Sequence, residues 1–117
     1  DLAAAFNSRA LSHADLGNYL TAIGDYTEAI RLKPARAYFF YNRGLSHADL
    51  GNHLKAIEDY TEGIQLKPDY ADAFFNRGLG HIQLGNHSKT ARDFTEAIRL
   101  RPDNGFFLYI SRVYELS

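Results

Sequence analysis

The amino-acid sequence predicts an all-α protein built as a stack of helix-turn-helix units. Three observations predict it. The chain repeats itself without gaps, apolar residues recur at steps of three and four, and helix-ending residues return at fixed places. Ala3 to Arg36 aligns on Ala37 to Tyr70 and again on Ala71 to Asn104. The repeat length is about 34 residues, long enough for one helix pair per copy. The segment LSHADLGN stands at Leu11 to Asn18 and again at Leu45 to Asn52, and the third copy reads LGHIQLGN. DYTEAIRLKP, from Asp25 to Pro34, is answered by DYTEGIQLKP and DFTEAIRLRP.

Within each unit the first helix follows from spacing. Phe6, Ala10, Leu11 and Ala14 recur at helical intervals, as do Phe40, Gly44, Leu45 and Ala48. A Gly-Asn pair then marks the break, at Gly17-Asn18, Gly51-Asn52 and Gly85-Asn86. Glycine readily adopts the left-handed conformation that ends a helix, and asparagine caps the next one well. The second helix carries Ala22, Ile23, Tyr26, Ala29 and Ile30, again at steps of three and four. Pro34, Pro68 and Pro102 close the units, because proline cannot continue a helix. The final segment, residues 105–117, reads as a partial fourth unit or terminal helix. Phe107, Ile110, Ser111 and Tyr114 fit the first-helix pattern if the preceding linker is one residue shorter. Phe106, Leu108, Tyr109, Val113 and Leu116 fall off that stripe, so this helix is apolar on more than one face. A helix that caps a repeat array normally shows water a polar face. This one is therefore expected either to precede further repeats or to pair with a second copy as a homo-oligomer.

Composition excludes several classes of function. The formal net charge is -1, which supplies no basic surface to neutralise nucleic-acid phosphates or to hold an anionic membrane. There is no cysteine, which removes disulfides, thiolate nucleophiles and thiolate metal sites, and is compatible with the cytoplasm. No apolar run is long enough for a membrane span, and no signal peptide is visible at the start. The chain starts at Asp1 and contains no methionine, so it is expected to be a piece of a longer protein.

These residues resemble the tetratricopeptide repeat family. Phe40, Gly44, Ala56, Tyr60 and Pro68 stand at the family's motif places in the second copy. Gly78 and Thr90 take the close-packing places in the third, where Thr90 replaces the usual alanine. His13, His47 and His81 stand where the family has tyrosine, and Arg9, Arg43 and Arg77 where it has leucine. The resemblance implies a right-handed superhelical solenoid whose first helices line a concave face, and a non-catalytic scaffold that binds a protein or peptide there. The inward positions it implies are Asn7, Ser8, Leu11 and Asp15 in the first unit. In the second they are Tyr38, Tyr41, Asn42, Leu45 and Asp49, and in the third Asp72, Phe75, Asn76, Leu79 and Gln83. Asn42 and Asn76 hold equivalent places one repeat apart. Their amides could bond the backbone of an extended peptide, or could join neighbouring helices inside the solenoid. Tyr41 and Phe75 are expected to wall the groove. One family subtype clamps the C-terminal carboxylate of heat-shock chaperones with lysine, asparagine and arginine. The matching places here hold Asn7, Leu11, Asn42, Asp72 and Asn76, so only Asn42 agrees and Asp72 would repel a carboxylate. With Asp15 and Asp49 nearby, a neutral or basic segment is the expected partner.

Other constellations look chemical and read as structural. Arg9, Arg43 and Arg77 recur with Asp25, Asp59 and Asp93, which suggests an ion pair joining the two helices of each unit. Breaking such a pair on one side when buried costs about 3–5 kcal/mol. His13, His47 and His81 lie one repeat apart, and packed helices are about 8–10 Å from one another, too far for three ligands on one metal ion. No metal or other cofactor is expected. Ser12, His13 and Asp15 contain the residue types of a catalytic triad, as do Ser46, His47 and Asp49. Neighbours on a helix point to different faces and cannot form the relay, so no enzyme is expected.

Overall fold

The computed structural model of the chain describes residues 1–115, and Leu116, assigned above to self-association, lies outside the described residues. The described residues form helices and turns only. The helices are α1 (Leu2–Asp15), α2 (Tyr19–Leu32), α3 (Ala37–Asp49), α4 (His53–Leu66), α5 (Ala71–Gln83), α6 (His87–Leu100) and α7 (Gly105–Glu115). They pair as α1 with α2, α3 with α4 and α5 with α6, and each pair packs on the next. The result is an elongated solenoid of 44 × 25 × 21 Å.

The turn inside each pair is a Schellman motif, repeated three times. The amide of Gly17 donates to the carbonyl of Ala14 and that of Asn18 to His13; Gly51 and Asn52, then Gly85 and Asn86, repeat the pattern. The motif needs positive φ, and Gly17, Gly51 and Gly85 supply it at 79°, 80° and 75°. Asn52 and Asn86 then cap α4 and α6 by accepting from the amides of Lys55 and Lys89. Asn18 makes no such side-chain bond to α2. Asn104 caps α7 by accepting from the Phe107 amide at 3.0 Å. α7 starts 34 residues after Ala71, as α5 does after Ala37, so the expected shortening of the last linker does not occur.

The core alternates small residues with rings. Ala10, Ala22 and Tyr26 fill the first pair, and Ala3, Ala29 and Phe39 fill its junction with the second. Ala71, Phe75, Phe94, Ala97 and Phe107 form a larger cluster that ties α7 to the third pair. Gly44 and Gly78 let the pairs close tightly. A Cβ on Gly44 would sit 2.7 Å from the Tyr60 ring, and one on Gly78 would sit 2.8 Å from the Phe94 ring. Thr90 is buried on the same seam and satisfies its hydroxyl by donating to the carbonyls of Gly78 and Asn86.

Each pair is also joined by the expected ion pair. Arg9 forks onto Asp25, Arg43 onto Asp59 and Arg77 onto Asp93, with N···O distances of 2.7–2.8 Å. Two of the arginines reach further. Arg43 Nη1 donates to Thr27 Oγ1 and Arg77 Nη1 to Thr61 Oγ1, so each ties its own pair to the preceding one. His47 and His81 pack beside this network, each with Nε2 3.8 Å from the aspartate. His13 has a buried Nδ1 without a hydrogen-bond partner.

Candidate peptide-binding site

The candidate site is a row of side chains on the first helices of successive pairs. α1 touches α3 and α3 touches α5, more extensively than α2, α4 and α6 touch one another. That closer approach is what the inner layer of a curved stack requires.

Two asparagines bridge this layer. Asn42 Nδ2 donates to Asn7 Oδ1 at 3.1 Å, and Asn76 Nδ2 donates to the Tyr41 hydroxyl at 3.0 Å and to the Asp72 carbonyl at 2.9 Å. Both amides thus bond within the solenoid through their N–H groups. Among the described residues, neither the Asn42 nor the Asn76 Oδ1 accepts a hydrogen bond, which leaves two carbonyl acceptors one repeat apart. Asn7 is buried at the far end of the ladder.

The aromatic residues fare differently. Phe75, expected to wall a groove, belongs to the core: it is 3% exposed. It stacks on Phe94 at 5.0 Å and on Phe107 at 4.5 Å. The reason is the α7 helix, whose Phe107 covers the side of Phe75 that spacing within the third unit leaves open. Tyr41 is half-buried and packs 4.9 Å from the Tyr70 ring. Burial, then Asp72, raises its hydroxyl pKa, so it stays protonated and keeps its hydrogen. Tyr38, Asp49 and Asp72 are exposed, while Leu45 and Leu79 are half-buried beside the asparagines. Leu11 is exposed at the equivalent place on α1.

On α7, Phe106 and Tyr109 are 60% and 64% exposed, and Leu108 and Val113 are exposed too. With α7 in register, Phe106 and Tyr109 stand at the places of Asp72 and Phe75. A linker shortened by one residue hides that equivalence, and the unbroken repeat length reveals it. Among the described residues no three of His, Asp or Glu gather where a metal ion could be held. No helix among them is long and apolar enough to cross a membrane.

Known structures share this architecture. The first TPR of Spaghetti (RPAP3), bound to the HSP90 peptide SRMEEVD, superposes with a TM-score of 0.94 at 21% identity, over 98% of this chain and 91% of that one. The Arabidopsis OM64 TPR domain gives 0.90 at 24% identity, over 94% and 91%. The second TPR of Spaghetti (RPAP3), bound to the same peptide, gives 0.84 at 28% identity, over 86% and 94%. A search of curated protein sequences finds no match. The sequence model of the family described as Tetratricopeptide repeat matches residues 7–71 and 41–105. With seven helices in the expected order among the described residues and the same repeat carried by sequence and structure alike, the chain belongs to the tetratricopeptide repeat family.

Proposed function

We propose that this chain is a non-catalytic scaffold that binds an extended peptide segment of neutral or basic character along α1, α3 and α5. The observation that carries the reading is the pair of unengaged carbonyl acceptors on Asn42 and Asn76. They are spaced by one repeat, flanked by Leu45 and Leu79, and rimmed by exposed Asp15, Asp49 and Asp72. Side-chain carbonyls of this kind can accept from the backbone N–H groups of a bound strand whatever its sequence. The leucines offer apolar surface for its side chains, and the carboxylates select its charge. Tyr38 stands at Asp72's equivalent place on α3, and Phe106 and Tyr109 extend the row with rings. Relatives of this fold hold the chaperone peptide SRMEEVD. Here Asp72 opposes the acidic end of such a peptide, so SRMEEVD is expected to bind at least about tenfold more weakly than an analogue with lysine in place of its acidic residues.

Selection from a peptide library tests this. Enriched peptides should carry lysine or arginine and should lose affinity for an Asn42→Ala/Asn76→Ala variant. An Asp15→Lys/Asp49→Lys variant, altered only at exposed positions, should prefer acidic peptides instead. No enrichment, or enrichment indifferent to both variants, defeats the reading.

A second reading rests on the exposed rings and aliphatics of α7. Phe106, Leu108, Tyr109 and Val113 could pair two copies through this helix. Light scattering across concentration separates the readings, since a chain that stays monomeric does not self-assemble.

A further inference from the structure

Behind the peptide row, the junctions between repeats form clefts lined by the other side of the same helices. Phe74, Arg77 and His81 step by three and four along α5, about half a turn round from Asn76 and Leu79. With Ile57 and Thr61 of α4 and Lys89, Arg92, Asp93 and Glu96 of α6, they line an open cleft of about 540 Å³. The preceding junction has the equivalent cleft, of about 330 Å³, lined by Ile23, Thr27, Arg43, His47, Lys55, Glu58 and Asp59.

The charged linings of the two clefts differ at two places, of which one reverses a sign and the other adds Glu96 to the second cleft. Where the first has Glu58 the second has Arg92, 34 residues on. In the first cleft Arg43 is matched by Asp59, and the lining also holds one cation and one anion on α4, Lys55 and Glu58. In the second, Arg77 neutralises Asp93 and Arg99 neutralises Glu96. Lys89 and Arg92 then remain, and among the described residues neither side chain has a hydrogen bond or ion pair. Lys89 and Arg92 are therefore the two cations of the cleft that no ion pair holds, beside an apolar wall of Ile57 and Phe74.

We propose that the cleft between α4, α5 and α6 binds a phosphate monoester, with Lys89 and Arg92 as its charge partners. A phosphate dianion balances two cations, where a carboxylate would balance one. The Arg92 guanidinium matches two phosphate oxygens at once, and the Lys89 ammonium supplies a mobile point charge. The cavity has room for the organic group that carries the phosphate, against Phe74 and Ile57. Two sources share this chemistry, a small phosphorylated metabolite and a phosphorylated side chain of a partner.

The test is titration of the full chain at low ionic strength, followed by backbone amide shifts in NMR spectra. The probes are phenyl phosphate, a capped Gly-phosphoserine-Gly peptide and its unphosphorylated form. Saturable shifts confined to the facing parts of α4, α5 and α6 are expected, with tighter binding by phenyl phosphate marking the metabolite and tighter binding by the peptide marking the side chain. Arg92→Glu restores the residue found one repeat earlier at an exposed position, and should weaken binding by about tenfold or more. Lys89→Ala should weaken it as well. Glu58→Arg should create a second saturable site at the preceding junction. Shifts that do not saturate, that follow the surface lysines generally, or that persist unchanged in Arg92→Glu would overturn the proposal, as would equal binding of the unphosphorylated peptide.

Discussion

Each repeat places the same arginine–aspartate fork in different surroundings, and this makes its contribution measurable within one molecule. The Arg9 side chain is 61% exposed, whereas Arg43, which also reaches Thr27 of α2, is 21% exposed. Because Arg43 keeps part of its contact with water, Asp59→Asn should cost about 1.5–3 kcal/mol, below the figure for a fully buried pair and in the range for hydrogen bonds to charged groups. Asp25→Asn should cost less than about 1 kcal/mol, as for solvated pairs. Denaturant unfolding of the two variants checks this, and equal losses would show that burial does not set the value of the fork. The histidines beside it introduce a dependence on pH. Burial holds His47 and His81 below the ordinary 6.5, against the pull of Asp59 and Asp93 and with the push of Arg43, Lys55, Arg77 and Lys89. The unfolded chain then takes up the proton first as pH falls. Stability from these sites is whole above about pH 6.5 and declines as pH drops through the lower folded-state values. Melting temperature should fall between about pH 7 and pH 5.5, and His47→Gln/His81→Gln should flatten the profile. A wild-type melt that does not move over that range would remove this account.

At the scale of the element, the two kinds of glycine have opposite expected effects. Gly51 ends α3 at φ 80°, a conformation that costs an L-residue about 1–2 kcal/mol, so Gly51→Ala should destabilise by that amount. Gly24 lies inside α2 with nothing within 4 Å of the place a Cβ would take. Gly24→Ala should stabilise by about 0.5–1 kcal/mol through helix propensity. Thermal melts of both variants decide it, and a stabilising Gly51→Ala would mean that the turn does not need the left-handed residue. The element that departed most from its sequence reading is α7. Its pattern suggested a shortened linker, because Phe107 and Ser111 sit where a first-helix stripe shifted by one would place them. The helix starts in register, and Phe107 enters the core by stacking on Phe75. Phe107→Ala should cost about 3–5 kcal/mol and should loosen α7 first, seen as faster amide exchange there than in α5.

The molecule as a whole is a stack in which each pair contacts only its neighbours, so stability is set by pair junctions rather than by one central core. Amide exchange should accordingly be slowest in α3, α4 and α5, which are covered on both sides, and faster toward α1 and α7. Uniform protection along the chain would instead indicate a single all-or-none unit. The sequence by itself determined the architecture. A gapless repeat, Gly-Asn breaks and closing prolines act over a few residues, and local rules translate them directly into helices and turns. It also foretold the forks of Arg9, Arg43 and Arg77, because charges repeated at equal spacing on paired helices must meet. Only the tertiary structure decided which inward residues remain accessible. Phe75 and Asn76 are adjacent in sequence, yet one is stacked under α7 and the other keeps a free carbonyl, since burial depends on what the next pair brings against each face. The basic cleft at Lys89 and Arg92 was legible only as a break in the repeat, glutamate to arginine. That change acquires meaning when folding pairs Asp93 and Glu96 elsewhere and leaves the two cations facing the same space.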